Sequence, residues 1–250
     1  MSKRRAWTVD GRDPQSIVFW AFMAVALIAA AAMFWTTETR PPSSNATGCD
    51  RNPIPVGAKV SIVGDSYSTG QKQGGVGEKG WPALLGTATG WDITTVAVGG
   101  SGFLSRGFDG VNYSGPTFLE QAEQAAGADL IIIFGGRNDV MHYGSDASYA
   151  ERVTQTVQAA AIASPDARIV VFTSPLSPNL DVEGLAKVNG SITNAVNTFP
   201  CVELVNTVDL GWFTGNDLDL IGVDGIHPTD AGHAYMESRM AGVLADLRVL

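Results

Sequence analysis

The chain has 250 residues and a mass of 26.2 kDa, the size of one ordinary domain with a short appendage. Hydrophobic residues make up 45% and charged residues 16%, a composition that supports a packed core and argues against global disorder. The formal net charge of -9 excludes the basic face that nucleic-acid binding requires, and two cysteines are too few for a disulfide-rich scaffold or a four-thiolate zinc site.

The N-terminal part of the chain contains a predicted transmembrane helix. The uncharged stretch Ile17–Trp35 has 19 residues and, at about 1.5 Å per residue, spans about the thickness of a bilayer. Four basic residues precede it: Lys3, Arg4, Arg5 and Arg12. Residues 1–16 are therefore expected in the cytoplasm and the rest of the chain beyond the cell membrane. We expect an uncleaved signal anchor, because the bulky Met33–Trp35 stands where a cleavage site needs small residues; a cleaved signal peptide, giving a secreted protein, is the alternative.

Residues 36–55 connect this helix to the remainder of the chain. They are rich in Pro, Ser, Thr and Asn and show no apolar periodicity, which predicts a tether followed by a domain over residues 56–250. The first 35 residues carry four basic and two acidic side chains, so the rest of the chain has a net charge of -11.

Beyond the tether, short β-branched runs alternate with helical stretches. Five strands are predicted at Ala58–Gly64, Ile93–Val98, Asp129–Phe134, Ala167–Thr173 and Val202–Val208. Each run is apolar on both faces, as in parallel strands that helices cover. Helices are predicted near Trp81–Thr87, Pro116–Ala126, Ala147–Ala163, Asp181–Asn197 and Pro228–Leu247. This alternation predicts a three-layer α/β domain with a parallel five-stranded sheet.

Small polar clusters follow the predicted strands. They are Gly64-Asp65-Ser66, Gly99-Gly100-Ser101-Gly102, Gly136-Arg137-Asn138-Asp139 and Asp224-Gly225-Ile226-His227. The carboxyl ends of parallel strands meet at one edge of the sheet, where ligands bind. The four clusters are therefore expected to converge there, although each of them alone is a common turn or cap sequence.

The residue types in these clusters fit nucleophilic catalysis. A serine hydroxyl needs a base to take its proton, and the base needs a partner that fixes its tautomer. Ser66 can supply the hydroxyl, His227 the base and Asp224 the partner. Pro228 suits the first turn of a helix and would hold His227 at a helix entrance. The Asn138 amide and the backbone N–H groups of Ser66 and Gly100 can form an oxyanion hole.

The four clusters, in this order, resemble the sequence blocks of the GDSL/SGNH hydrolases. The likeness covers about residues 59–247. It implies a flavodoxin-like α/β/α fold with strand order 2-1-3-4-5 and esterase, lipase or acyl-transfer chemistry. It also implies a Ser66–His227–Asp224 triad with an oxyanion hole of Ser66, Gly100 and Asn138. The second block lacks its frequent asparagine, so Gly99 and Gly102 remain alternatives to Gly100.

The chain has two other histidines, His142 and His233. Asp230 and His233 repeat the D-x-x-H spacing inside the last predicted helix, where the side chains would be held to a helical face. His142 has no acid at a short spacing before it and is expected in a loop that can line the pocket. Asp65, His142 and Trp212 are the candidate substrate-binding residues.

Two glycine-rich polar segments are expected to form the rim of the site. They are Gly70–Gly80 and Ser105–Pro116, and the second carries Phe108 and Tyr113. An open polar rim favours short acyl esters or acylated glycans over long-chain lipids as substrates. The sequence contains no phosphate-binding glycine motif and no metal-ligand cluster, so no cofactor and no metal are expected.

Cys49 and Cys201 are both expected at the amino-terminal edge of the sheet. Outside the cytoplasm they can form a disulfide, and two unpaired thiols are the alternative. The predicted function is that of a membrane-tethered serine esterase acting on an ester-containing small molecule, lipid or glycan. An O-acyltransferase and a non-catalytic binding module are the alternatives.

Overall fold

The computed structural model describes Cys49 and residues 52–250. These residues contain a sheet of five parallel strands in the order β2-β1-β3-β4-β5, which confirms the predicted topology. The strands are β1 (Lys59–Gly64), β2 (Asp92–Thr95), β3 (Leu130–Gly135), β4 (Arg168–Thr173) and β5 (Val202–Val205). The helices are α1 (Ser66–Thr69), α2 (Trp81–Thr89), α3 (Phe118–Ala122), α4 (Asp146–Ala163), α5 (Val182–Val196) and α6 (Asp230–Asp246). Short 3₁₀ helices lie at Gly77–Lys79, Arg137–Met141 and Gly215–Leu220.

The predicted membrane helix Ile17–Trp35 lies outside the described residues. None of the helices that the structure describes has the length and hydrophobicity needed to cross a bilayer.

Helices cover the sheet on both faces and thereby make three layers. All six residues of β3 and all six of β4 are buried, as expected for central strands between helical layers. One face packs against α2 and α6 through Trp81, Leu85, Met236, Met240 and Leu244. The other face packs against α3, α4 and α5 through Phe118, Val153, Val157, Val188 and Ile192.

The two edge strands differ from their prediction. β2 is exposed at three of its four residues, and the fourth, Ile93, is the one that packs against a core cluster, so its predicted burial on both faces is wrong. β5 ends at Val205 rather than Val208. The Asn206 side chain accepts hydrogen bonds from the backbone N–H groups of Val208 and Asp209 and turns the chain away from the sheet.

A disulfide joins Cys49 to Cys201, with the two Cα atoms 5.2 Å apart. The sequence left open whether these cysteines are paired or are two free thiols, and the structure contains the pair. Cys201 directly precedes β5, so the bond lies at the amino-terminal edge of the sheet, opposite the carboxyl ends of the strands. The end of the predicted tether also contacts the domain, since the Ile54 N–H donates to the Val249 carbonyl over 2.7 Å.

Candidate active site

A cavity of about 620 Å³ opens at the carboxyl ends of the strands. It is lined by residues from all four of the polar clusters: Ser66, Gly99, Gly100, Arg137, Asn138, Ile226 and His227. The remaining lining residues are Gln71, Phe108, Tyr113, Val140, Met141, Asn179, Leu180 and Asp181. The predicted convergence of the four clusters is therefore present.

Ser66, His227 and Asp224 form a row of hydrogen bonds beside the cavity. Ser66 Oγ lies 3.0 Å from His227 Nε2, and His227 Nδ1 lies 2.7 Å from Asp224 Oδ2. These distances suit proton transfer from the hydroxyl to the ring and orientation of the ring by the carboxylate. The arrangement can therefore turn a serine hydroxyl into a nucleophile.

Asp224 is held in its ionised form. Partial burial favours the protonated acid, but hydrogen bonds from the side chain and backbone of His227 and from the Ile226 N–H outweigh it and lower the pKa of Asp224 to about 2. Both backbone donors bind Oδ1 over 2.9 Å, which leaves Oδ2 for the imidazole. The carboxylate thus remains charged beside His227 at neutral pH and stabilises a protonated ring.

The loop that carries Asp224 and His227 is stabilised by its neighbours in space. Gly225 has a φ of 67°, and a side chain at this position would collide with Asn179. The Asn179 side chain donates to the Asp224 carbonyl over 2.8 Å. The predicted helix entrance at Pro228 is wrong, because α6 begins at Asp230 after the cap residue Thr229. His227 is instead held by a hydrogen bond from the Gly222 N–H to its carbonyl.

Asp65 orients the start of helix α1, which carries Ser66. Its Oδ1 accepts from the Tyr67 N–H over 2.9 Å and caps the short helix α1, which begins at Ser66. Its Oδ2 accepts from the Asn138 side-chain amide over 3.2 Å. Asp65 is buried, and this desolvation raises the pKa of its carboxyl to about 6. The residue therefore acts behind the site and does not line the cavity.

The expected oxyanion-hole residues lie together next to Ser66. The Asn138 amide also donates to the Ser101 carbonyl over 2.8 Å, so two acceptors fix its orientation. Gly100 has a φ of 79° and lies against the ring of Tyr113, where a side chain would collide. Among the described residues, no acceptor takes the backbone N–H of Ser66 or Gly100. The N–H of Gly102 binds the Ser105 carbonyl, which leaves Gly99 and Gly100 as the glycines at the cavity.

Asp139 joins the second cluster to the third, a function that the sequence did not reveal. It is fully buried and accepts hydrogen bonds from the backbone N–H groups of Phe103, Leu104 and Ser105, and from the Tyr149 hydroxyl. These bonds hold the loop after Gly100 against the turn that carries Asn138. The position of Asp139 directly after Asn138 in the third cluster was the sequence feature that could have indicated this function.

Tyr67 joins helix α1, which carries Ser66, to the loop that carries Asp224 and His227, and the sequence analysis did not identify this contact. Its hydroxyl donates to the Ile226 carbonyl and accepts from Arg137 Nη1 over 2.7 Å. Burial raises the pKa of Tyr67 to about 12, so the phenol stays protonated and can donate. The signal in the sequence was its position next to Ser66.

None of the three candidate substrate-binding residues lines the cavity. Trp212 is fully buried against Phe134 and Phe172 in the core, and His142 is exposed outside the lining. The structure therefore places Trp212, His142 and Asp65 outside the cavity lining, and their predicted role in substrate binding stays a prediction. Trp212 precedes the loop that carries Asp224 and His227 in the sequence, but its ring is buried in the apolar core. The cavity is instead lined by the rim aromatics Phe108 and Tyr113.

The alternative histidine is buried away from the nucleophile. His233 is 1% exposed, and burial lowers its pKa to about 4. Its Nδ1 accepts from the Trp81 N–H over 3.4 Å, and Gly75 packs against its ring. Asp230 instead pairs with Lys79. His233 is therefore a neutral packing residue of α6.

Replacing Asp65 with asparagine is expected to change how stability depends on pH. An unfolded aspartate ionises near pH 4, whereas folded Asp65 holds its proton to about pH 6. Wild-type stability therefore loses about 3 kcal/mol as pH rises through this window, and Asp65→Asn lacks this loss. The measurement is urea unfolding of both proteins at about pH 4 and at about pH 7.5. Between these two pH values, the unfolding free energy of Asp65→Asn should rise relative to that of the wild type by about 3 kcal/mol.

Asp92→Asn, a change at an exposed aspartate of β2, is the control and should follow the wild type at both pH values. Equal pH dependence of Asp65→Asn and the wild type would contradict the prediction. The variant should also have a lower kcat, because the Asn138 amide loses an anionic acceptor.

The structure is a three-layer α/β protein with hydrogen-bonded Ser66, His227 and Asp224 at the carboxyl ends of its strands, and sequence comparison identifies its family. Residues 62–235 match the model of the GDSL-like lipase/acylhydrolase family. The chain belongs to this family, which confirms the resemblance found in its sequence. Lipases and acylhydrolases cleave acyl esters, and the chain is accordingly a carboxylic ester hydrolase.

Three relatives illustrate the likeness. The chain is 31% identical over 196 residues to the GDSL lipase Rv0518 of Mycobacterium tuberculosis, covering 74% of this chain and 81% of the relative. A carbohydrate esterase family 2 enzyme of Corynascus thermopiles (Myceliophthora fergusii) superposes with a TM-score of 0.59 at 23% identity, over 78% of this chain and 67% of that one. The salicylyl-acyltransferase SsfX3 from a tetracycline biosynthetic pathway superposes with a TM-score of 0.60 at 19% identity. The superposition covers 78% of this chain and 56% of that one. The two superpositions show a shared fold.

Proposed function

We propose that the chain is a serine esterase whose nucleophile is Ser66, whose general base is His227 and whose orienting acid is Asp224. The observation that carries this assignment is the pair of hydrogen bonds of 3.0 and 2.7 Å that links the three side chains beside the cavity. A hydroxyl, an imidazole and an ionised carboxylate in this order are the components of acyl transfer through a covalent intermediate.

In the proposed reaction, Ser66 Oγ attacks the ester carbonyl while His227 Nε2 takes the hydroxyl proton. The carbonyl oxygen becomes an oxyanion that accepts hydrogen bonds from the Asn138 amide and the N–H groups of Ser66 and Gly100. The tetrahedral intermediate collapses, His227 returns the proton to the leaving alcohol, and Ser66 keeps the acyl group. Water, deprotonated by His227, then attacks the acyl-enzyme, and the acid leaves as Ser66 regains its proton.

Short acyl esters or acylated glycans are the proposed substrates. The cavity is open to solvent and carries the polar side chains of Gln71 and Asn179, which can bind hydroxyl groups. Phe108 and Tyr113 line it as well and offer faces for stacking on a sugar ring. In a series of p-nitrophenyl esters, kcat/KM should be highest for acetate. Highest turnover of palmitate would contradict this assignment.

The esterase domain is proposed to act outside the cytoplasm, tethered by Ile17–Trp35. The hydrophobic length of that segment and the basic residues before it support this location. The disulfide between Cys49 and Cys201 also supports it, because such bonds persist in oxidising compartments. Cleavage after the segment would instead release a secreted esterase.

A fluorophosphonate probe tests the nucleophile and the tether together. The probe should label the full-length wild type in carbonate-washed membranes, and Ser66→Ala should take up no label at equal abundance. Ser68→Ala, which changes a neighbouring buried serine of α1, is the matched control and should be labelled. Equal labelling of Ser66→Ala would remove Ser66 as the nucleophile. Labelled protein only in the medium would replace the anchor with a cleaved signal.

Transfer of the acyl group to an alcohol is the second candidate activity. The acyl-enzyme formed on Ser66 can react with any hydroxyl that reaches it, and the fold is shared with an acyltransferase. Product analysis with sugar acceptors distinguishes the two reactions: free acid alone indicates hydrolysis, and an acylated acceptor in excess of free acid indicates transfer.

A further inference from the structure

Arg137 is a cation inside the cavity with one end anchored. Its side chain is 9% exposed and lines the cavity together with Ser66. Nη1 donates to the Tyr67 hydroxyl over 2.7 Å and to Ser177 Oγ over 3.2 Å. The guanidinium carbon also lies 5.3 Å from the centre of the Tyr67 ring, a cation–π distance. These contacts hold the guanidinium group in place from the Nη1 side.

The other donors of Arg137 have no protein acceptor. Among Cys49 and residues 52–250, no oxygen accepts a hydrogen bond from Nε or Nη2 of Arg137. Six buried side-chain polar atoms in this part of the chain lack a partner, and none of them belongs to Arg137. Its Nε and Nη2 are therefore reachable by solvent rather than sealed in the core. Arg137 lines the cavity, so a substrate bound there would lie beside its side chain.

The charge of Arg137 also lacks a direct counter-ion. The other buried arginine, Arg168, pairs with Glu203 over 2.7 Å, whereas no carboxylate of the described residues lies within 4.0 Å of the Arg137 guanidinium. Asp65 interacts with it electrostatically, but the two Asp65 oxygens are bound by the Tyr67 N–H and the Asn138 amide. A buried cation without a paired anion is costly, and an anionic ligand that enters the cavity would supply the missing partner.

We propose that Nε and Nη2 of Arg137 bind a carboxylate group of the ester substrate. The planar guanidinium edge matches the two oxygens of a carboxylate and can form two parallel charge-assisted hydrogen bonds. This inference rests on the proposed esterase function and names its substrate class: esters that carry a carboxylate either on the acyl group, as in half-esters of dicarboxylic acids, or on the alcohol, as in acylated hydroxy acids. The domain is acidic overall, so Arg137 provides local attraction for an anion that the rest of the surface repels.

Matched pairs of esters test the proposal. The acyl-side pairs are the p-nitrophenyl half-esters of succinate, glutarate and adipate against their methyl esters, with spontaneous hydrolysis subtracted. The alcohol-side pair is 3-acetoxybenzoate against its methyl ester. In at least one of the two series, wild-type kcat/KM for the charged ester should exceed that for the neutral one by about 10- to 100-fold. The series that shows the preference identifies the side that carries the carboxylate.

The ratio of charged to neutral kcat/KM separates substrate binding from positioning. Arg137→Gln also loses the Nη1 hydrogen bond to Tyr67, and this loss lowers kcat/KM for the charged and the neutral ester by the same factor. The ratio of the two values therefore reports only on carboxylate binding and should fall to about one. Arg137→Lys should keep part of the ratio, because it retains the charge but not the planar edge. Arg152→Gln, the same change on α4 outside the cavity lining, should keep the wild-type ratio.

Two results would overturn the inference while leaving the esterase function intact. One is a wild-type ratio near one or below in both series, with the neutral esters still hydrolysed in a Ser66-dependent way. The other is an unchanged preference for charged esters in Arg137→Gln. If wild-type protein hydrolysed neither member of any pair, the proposed function itself would fail, and the inference with it.

Discussion

The His227→Ala variant is expected to hydrolyse esters about 10⁴- to 10⁶-fold more slowly than the wild type in kcat. The imidazole is the group in contact with Ser66 Oγ, at 3.0 Å, and without it no base takes the hydroxyl proton. The oxyanion-hole donors and the cavity are retained, so the residual rate should still exceed that of hydrolysis in water. Steady-state kinetics on p-nitrophenyl acetate measure the loss.

His233→Ala provides the matched control for this experiment. The two histidines each follow an aspartate at the same spacing, but His233 is buried against Trp81 and has no contact with Ser66. Removing its side chain should lower the melting temperature and leave kcat within a few-fold of the wild type in the folded protein. Assays well below the melting temperature, with folding followed by circular dichroism, keep the two effects apart. Retained activity in His227→Ala with loss in His233→Ala would reverse the assignment.

Replacing Asn138 with alanine is expected to lower kcat by about 10²- to 10³-fold, with a smaller effect on KM. The amide is held by the Ser101 carbonyl and the Asp65 carboxylate, so its orientation is set before substrate binds. A donor prepared in this way favours the oxyanion over the neutral carbonyl, and its loss therefore appears in kcat. Kinetics on p-nitrophenyl acetate, with melting temperatures as a check on folding, provide the measurement.

A double substitution tests whether Asn138 and Ser66 act in the same step. Asn138 stabilises an intermediate that exists only after Ser66 attacks, so Ser66→Ala with Asn138→Ala should lose much less than the product of the two single losses. Multiplicative losses would show that Asn138 acts outside the acyl-transfer step. A kcat for Asn138→Ala within a few-fold of the wild type would remove it from the oxyanion hole.

Much of the fold was predictable because it depends on local patterns. The β-branched runs that became β3 and β4 are buried along their whole length, and their alternation with helices indicated a parallel sheet. The exposure of β2 could not be predicted in this way, since it depends on how little of this edge strand packs against the hydrophobic core. Helix α6 begins at Asp230 and not at the predicted Pro228, because the side chain of Thr229 caps the helix by accepting a hydrogen bond from the Gly232 N–H.

The candidate reactive residues could be identified from the order of the chain alone. Ser66, Asn138 and the pair Asp224–His227 lie in segments that follow parallel strands, and the topology of such a sheet brings these segments to one edge. The spacing from Asp224 to His227 is short enough for a single loop to establish their contact. These features depend on chain order and local geometry, which the sequence displays directly.

Which other side chains line the cavity depends on packing between distant parts of the chain. Trp212 packs in the core against Phe172, Asp65 caps the helix that begins at Ser66, and Arg137 lines the cavity. The direction of each side chain depends on contacts with residues far away in the chain, as when Tyr67 meets Arg137 across 70 positions. Such contacts leave no periodic signal in the sequence, because they arise from the packing of elements that only the folded chain brings together.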